Sequence, residues 1–250
     1  MKIIDIDATL GYVTKKVEPA DTVEELIRKM DNAGVDSAVA FYTRSIKQIQ
    51  PGNQDMQKIA ENSGGRIKAC WLLHPYLDGI QMPKKDDLLA LLRKYRPAAV
   101  RLNPMSGNYL LNDFYCDELL DVLRTLRIPV MLNLTEMHNP LETVPAVTAA
   151  YPEIPFVFTD ACHTNSVLVR SLLQKRPNTS IAAGFMVGCA EFDQLVNTFG
   201  AHRFLYSSTD GNAQGTALGL IYQGNFTDEE KEAMFSGNWE RLQKEIQWES

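Results

Sequence analysis

The chain has 250 residues, of which 45% are hydrophobic and 22% charged, the composition of an ordinary globular protein. This excludes a disordered, collagenous or small disulfide-rich chain, and no apolar run approaches the ~18 residues of a membrane-spanning helix. The net charge of −6, without a dense lysine and arginine cluster, argues against a nucleic-acid partner. Acidic residues near the start leave no apolar core for a signal peptide, so we expect a cytoplasmic protein with reduced cysteines.

Short apolar runs alternate with longer segments of helical spacing along the whole chain. In chain order, the first half predicts a strand at 2–6, a helix from Asp21, a strand at 35–42, a helix at 56–62, a strand at 67–73 and a helix at 86–95. The second half predicts strands at 98–102, 128–134, 155–159, 179–185 and 203–206. The helices between and after them are predicted from Asp113 or Asp117 to 126, and at 141–150, 166–174, 191–199 and 216–223. A last helix at 228–247 follows a capping box of Thr227 and Glu230.

Eight strand-then-helix units in this length amount to about 31 residues each, which is typical of an eight-stranded barrel. The strands are mostly apolar, as expected for a parallel sheet covered by helices. Doubly wound sheets usually have fewer strands, and no GxGxxG motif follows the first strand. The sequence therefore predicts one domain over 1–250, a (β/α)8 TIM barrel with an extra C-terminal helix.

Polar side chains at the carboxyl ends of the strands are the candidate site residues, because the functional groups of such a barrel lie there. The candidates are Asp5, Asp7, Thr9, residues 42–44, His74, Arg101, Asn103, Asn133, Glu136, His138, Thr159, Asp160, His163, Phe185, Ser208 and Asp210. An acid that ends an apolar strand is costly to bury unpaired, so we expect Asp7 and Asp160 to line the pocket. Asp5 fits the pocket or a brace of the barrel equally well, and Asp210 fits the pocket or a turn.

Several stretches together resemble amidohydrolase family 2, which includes decarboxylases of the aminocarboxymuconate-semialdehyde type. Residues 3–11, IIDIDATLG, resemble the family's first strand, which usually has an Asp, then two histidines separated by one residue, then Leu-Gly. Further similar stretches are 32–36, 65–66 with Pro75, 100–104, 129–132 and 237–242. The resemblance covers essentially the whole chain. It implies a hydrolase or lyase that acts on a carboxylate- or lactone-bearing small molecule.

The chain departs from this family at its metal-binding positions. The paired histidines of strand one are replaced by Asp7 and Thr9, and the histidines of strands five and six by Asn133 and Asp160. The strand-eight Asp of the family falls on Thr209 or on Asp210. Because zinc enzymes depend on such imidazole ligands, we expect a divergent member without the family zinc site.

Three interpretations of the site remain open. In the first the pocket is metal-free, Thr9, Asn103, Asn133 and His74 contact the substrate, and Arg101 anchors a carboxylate or phosphate. In the second an oxygen-rich cluster of Asp7, Asp160 and Asp210 binds Mg²⁺ or Mn²⁺. In the third a transition metal binds through His74 or His163.

The leading functional hypothesis is an enzyme in which Asp160 or Asp7 is the general acid or base and Arg101 orients the anion. Asn133 and His163 would position the reacting group, and Asp210 would join the catalytic set. The alternative is a catalytically silent barrel that binds a small molecule. Plainer interpretations are a salt bridge from Arg101 to Asp7 or Asp160, a hydrogen-bonded loop histidine at His74, and a helix cap at His163. A homo-oligomer is compatible with either hypothesis.

Overall fold

A computed structural model describes residues 1–11, 22–161, 163–185, 189–208 and 214–249. The strands are β1 Ile4–Leu10, β2 Ser37–Tyr42, β3 Ile67–Leu73, β4 Ala99–Leu102, β5 Val130–Asn133, β6 Phe156–Thr159, β7 Thr179–Ala182 and β8 Phe204–Leu205. The helices are α1 Val23–Ala33, α2 Ile49–Asn62, α3 Lys85–Tyr95, α4 Asp113–Leu126, α5 Pro140–Ala150, α6 Ser166–Lys175, α7 Cys189–Phe199, α8 Gln214–Gln223, α9 Asp228–Glu232 and α10 Asn238–Lys244. None of these helices combines the length and the apolar character that crossing a bilayer requires.

The eight strands form one parallel sheet in the order β1 to β8, each paired with the next strand along the chain. The backbone N–H of Ile6 donates to the carbonyl of Tyr206 at 3.2 Å, which brings the end of β8 against β1. With a helix after every strand, this is the TIM barrel that the sequence predicts, and the additional C-terminal helices confirm the closing segment.

The hydrophobic core has two layers, one inside the cylinder and one between the sheet and the helices. Alternate side chains of each strand fill the inner layer, among them Ile6, Phe41 and Met131. Trp239 and Leu242 of α10 pack into the same inner layer. They close the N-terminal end of the cylinder with apolar side chains, so polar chemistry is confined to the carboxyl end.

The helix caps agree with the sequence in the last helix and differ in the first. The Thr227 hydroxyl accepts from Glu230 N at 3.2 Å and the Glu230 carboxylate accepts from Thr227 N at 2.9 Å, which confirms the capping box. The N-cap of α1 is Thr22, whose hydroxyl accepts from Glu25 N, whereas the predicted cap Asp21 lies outside the described residues. The last helix, predicted over 228–247, runs from Asp228 to Lys244 and contains a π-helical turn between α9 and α10.

Several predicted boundaries are wrong. β1 runs to Leu10 instead of ending at Ile6, because its polar residues Asp7 and Thr9 belong to the strand and do not terminate it. α2 begins at Ile49, seven residues before the predicted 56, with Pro51 in its first turn, where the missing N–H breaks no helical bond. β7 ends at Ala182 and passes into a 3-10 turn, so the predicted strand end at Phe185 is too late. β8 covers two residues of the predicted four.

Candidate active site

A bulge in β1 separates its two aspartates. Asp5 pairs with Ala38 and Ala8 pairs with Ala40, so three steps along β1 match two steps along β2. One extra residue in a strand shifts the alternation of the side chains that follow it. The even-numbered side chains of β1 therefore face the lumen before the bulge, and the odd-numbered side chains face it after the bulge.

The bulge directs Asp7 and Thr9 toward the lumen. Before it, Ile6 packs inside the cylinder, and after it, Ala8 packs in the outer layer. Asp7 is 3% exposed, and the side chain of Thr9, nearer the carboxyl end, is half-buried. Two of the predicted pocket residues thus lie at the open end of the barrel.

Asp7 forms a buried ion pair with Arg101, which projects inward from β4. In the sheet register Arg101 lies between Leu72 and Met131, both of which belong to the inner layer. Its guanidinium carbon lies 5.2 Å from the centre of the Phe41 ring. The salt bridge expected as the plain interpretation of Arg101 is therefore present, inside the lumen.

Asn133 and Asp160 form a second, partly buried pair at the ends of β5 and β6. Asn133 Nδ2 donates to Asp160 Oδ2 at 2.5 Å. Asn133 Oδ1 accepts from the backbone N–H of Thr135 at 2.7 Å and from its hydroxyl at 2.8 Å. Asp160 Oδ1 is buried and makes no hydrogen bond within the described part of the chain. The amide thus orients Asp160, and the Thr135 hydroxyl also interacts with that carboxyl.

Electrostatic coupling joins these two pairs into one group, the lumen cluster of Asp7, Arg101, Asn133 and Asp160. Burial raises the pKa of Asp7 to about 7, against the attraction of Arg101, and the charge of Asp160 adds to the rise. Burial also raises the pKa of Asp160, while the Asn133 hydrogen bond and Arg101 oppose the rise. The cluster thus holds two carboxyls with raised pKa values and one cation that interacts with both.

Asp5, two residues before Asp7, has different surroundings. Its Oδ1 accepts from the backbone N–H groups of Ser208 at 2.9 Å and of Asp7 at 3.1 Å, and its Oδ2 accepts from the Ser208 hydroxyl at 2.5 Å. Of the two interpretations left open for Asp5, the contacts favour the brace, since it ties β1 to the segment after β8.

His74 and Asn103 follow β3 and β4. His74 Nε2 lies 3.1 Å from the Gly107 carbonyl and its Nδ1 accepts from Tyr76 N at 3.2 Å, so the backbone engages both ring nitrogens. Asn103 is buried, and its Oδ1 has no hydrogen-bond partner among the described residues. These contacts match the plainer interpretation of His74 and leave Asn103 with a spare acceptor.

Two of the proposed catalytic residues cannot be placed. Asp210 lies outside the described residues, as does Cys162. His163 begins a 3-10 turn at the entrance to α6, but its side chain is outside the described part. The roles of Asp210 and His163 stay predictions.

Cys70 is a neighbour of the cluster that the sequence interpretation missed. The sequence suggests only a small core residue, and Cys70 is indeed buried, but its thiol also interacts with Arg101. Burial raises the pKa of this thiol to about 12, so it stays neutral beneath the guanidinium. The available signal was strand parity, since Cys70 and Arg101 both face inward from neighbouring strands.

No protein-family model matches the chain, and no curated protein sequence matches it. Among solved structures, a TIM-barrel protein of Bordetella bronchiseptica is similar with a TM-score of 0.75 and 17% identity, over 98% of this chain and 99% of that one. A 2,6-dihydroxybenzoate decarboxylase in complex with 2,6-dihydroxybenzoate gives 0.73 and 11%, over 97% and 99%. A dihydroxybenzoic acid decarboxylase of Polaromonas, with bound manganese and an inhibitor, gives 0.69 and 13%, over 97% of each chain. At these identities the similarity shows the fold.

Proposed function

We propose that this chain is a small-molecule hydrolase or lyase of amidohydrolase type, which acts on a carboxylate- or lactone-bearing substrate at the carboxyl end of the barrel. The observation that carries the proposal is the lumen cluster, in which Asp7 has a pKa of about 7. A carboxyl poised there is present as both acid and base near neutral pH, which suits proton transfer. The solved decarboxylases with this fold support a lyase as one form of the proposal.

Within the proposed reaction the two aspartates move protons and Arg101 stabilises charge. In this proposal Asp160 acts on the substrate, with Asn133 fixing its Oδ2, while its Oδ1 is buried without a hydrogen-bond partner among the described residues. Asp7 exchanges a proton with the reacting group. The guanidinium of Arg101 favours negative charge that develops on a substrate oxygen, because fixed donors act strongly where water is excluded. Thr9 and Asn103 contact the substrate from the rim, and His163 and Asp210 complete the proposed set.

The backbone of Asp160 supports this assignment. Its φ is 54°, in the left-handed region that non-glycine residues rarely adopt. Asp and Asn tolerate this region better than most residues, and such conformations gather at functional sites. The conformation turns the chain immediately after β6, where Asp160 meets Asn133.

A divalent ion does not fit the described part of this site. Within the described ranges, no group of three or more histidine, cysteine, aspartate or glutamate side chains could hold a metal ion. The carboxylate of Asp7 is also already paired with a cation, the guanidinium of Arg101. The proposed reaction therefore contains no step through a metal.

The test is a turnover assay with lactones and aryl carboxylates, with and without Mn²⁺. Asp160→Asn keeps the side-chain size and the tolerance for positive φ but removes the acid–base group. We expect kcat/KM to fall by about 10²- to 10⁴-fold. Glu240→Gln is the matched control, because this glutamate lies far from the cluster and pairs with Lys2 on the surface. An Asp160→Asn variant as active as the control would contradict the proposal.

The second candidate function is a catalytically silent barrel that binds a small molecule. It is favoured by the fact that the polar atoms of Asn133 and the charge of Asp7 are already satisfied inside the cluster. This candidate predicts no turnover, together with a ligand-dependent rise in Tm that Asp160→Asn abolishes.

A further inference from the structure

We propose that the guanidinium of Arg101 is the resident cation of the lumen cluster, and that it keeps a divalent metal ion out of the space between Asp7 and Asp160. The inference concerns which cation the carboxyls hold. It stands whether or not the chain turns over a substrate, so it can fail separately from the proposed function.

Arg101 interacts with both carboxyls of the lumen cluster. It is ion-paired with Asp7, and its charge interacts with Asp160 as well. These are the two described carboxyls that face the lumen. A metal ion that bound both carboxyls would have to compete with the guanidinium for Asp7 and bind against the repulsion of a neighbouring positive charge.

The guanidinium is also held in place by its surroundings. Only 8% of the Arg101 side chain is exposed. The ring of Phe41 packs against one side at 5.2 Å, and the neutral thiol of Cys70 lies beside it. Arginine remains charged at any pH the folded chain meets. The positive charge is thus permanent, because no change of pH neutralises the guanidinium and leaves its place to a metal ion.

The identity of the cation decides what chemistry the cluster can perform. A bound metal ion lowers the pKa of a water ligand and creates a hydroxide nucleophile. A guanidinium offers N–H donors and positive charge but no vacant coordination position. A cluster built on Arg101 therefore stabilises an oxyanion, and the groups of the cluster that can carry a proton are Asp7 and Asp160.

The solved decarboxylase with bound manganese shows that this fold can carry a divalent ion. Among the residues that the structure describes, the carboxyls that face the lumen are those of Asp7 and Asp160. Removal of Arg101 would leave Asp7, Asp160 and the Asn133 amide around a space that has lost its cation. Oxygen ligands of this kind suit Mn²⁺.

The experiment measures Mn²⁺ binding by electron paramagnetic resonance and calorimetry, with purified full-length protein that has been treated with chelator. We expect Arg101→Ala to bind Mn²⁺ at least about tenfold more tightly than the parent chain, because two carboxyls have lost their counter-ion. The double variant Arg101→Ala with Asp160→Asn should lose this gain. Arg101→Lys should behave like the parent, since an ammonium replaces the guanidinium.

Two further measurements keep the test decisive. If Arg101→Ala does not fold, Arg101→Met retains much of the side-chain volume and should show the same gain. Guanidinium chloride, well below denaturing concentrations, should displace Mn²⁺ from either variant by refilling the space. The proposal is overturned if the parent binds Mn²⁺ and Asp7→Asn abolishes that binding. It is overturned equally if no Arg101 variant gains affinity for Mn²⁺.

Discussion

Asp5 and Asp7 are two buried carboxyls on one strand, only two residues apart, and they sit in opposite kinds of surroundings. Asp5 meets backbone and hydroxyl donors, three hydrogen bonds that hold β1 against the segment after β8. Asp7 meets a full positive charge and, across the lumen, a second carboxyl. Both carboxyls have raised pKa values, and in both the largest cause is burial.

The contrast shows that burial and a raised pKa do not by themselves mark a catalytic group. Asp7 differs from Asp5 in its neighbours, since it lies in the lumen with a cation, Arg101, and a second carboxyl, Asp160. The acceptors of Asp5 are occupied by donors from the protein itself. A carboxyl in the surroundings of Asp7 can take part in a reaction, whereas one in the surroundings of Asp5 stabilises the barrel.

The largest expected difference is in turnover. Asp7→Asn should lower kcat/KM by about 10²- to 10⁴-fold, because the amide cannot exchange the proton that the proposed reaction needs. Asp5→Asn should change it far less, since an amide oxygen can still accept the bond from Ser208. Steady-state kinetics on the same substrate checks both variants. Equal losses would remove the distinction between the two carboxyls.

A smaller difference is expected in folding stability. Asp5→Ala leaves the buried donors of Ser208 and Asp7 without a partner and should lower the free energy of unfolding by about 2–4 kcal/mol. Ser208→Ala is the matched control, because it removes only the hydroxyl and keeps the backbone bond to Asp5. That control should cost about 1 kcal/mol. Urea denaturation measures both, and a control as damaging as Asp5→Ala would contradict the bracing role.

Over a single pH unit, a small change is expected from the pH dependence of stability that Asp7 contributes. Its carboxyl has a pKa of about 7 in the folded chain and 3.8 in a model compound, so between these values the folded state holds the extra proton. This contribution to stability is full below pH 3.8 and is lost as the pH rises through about 7. The slope should reach about −1.4 kcal/mol per pH unit.

Urea midpoints collected across that pH range for the parent and for Asp7→Asn would measure the slope. The variant should give the flatter curve, because its amide does not titrate. Parallel curves would show that Asp7 does not hold the proton.

The sequence predicts the barrel well because each of its strands is a short apolar run followed by a helix. It predicts β1 less well. Residues 4–10 alternate strictly between apolar and polar, which assigns Asp5, Asp7 and Thr9 to one face. The structure divides them, because the bulge depends on pairing with β2 and on the capture of Asp5 by Ser208, some two hundred residues away. Neither contact leaves a local signal.

The site follows the same logic. The sequence predicts that Asp7 and Asp160 line the lumen, and it names both as partners for Arg101. It does not choose between them, since the choice depends on which strand brings its carboxyl nearest in the closed sheet. The sequence predicts that Asn133 lies at a strand end. Its bond to Asp160 depends on the left-handed backbone of Asp160, and an Asp residue is only a weak indicator of that conformation.

The short junction between β8 and β1 affects how readily the barrel opens. β8 supplies two residues, and the backbone bond from Ile6 to Tyr206 and the clamp of Asp5 on Ser208 join it to β1. A sheet opens most easily where few bonds join neighbouring strands, and opening here would admit water to the inner layer beside Arg101. We therefore expect loss of the Asp5–Ser208 contact to make such opening more frequent.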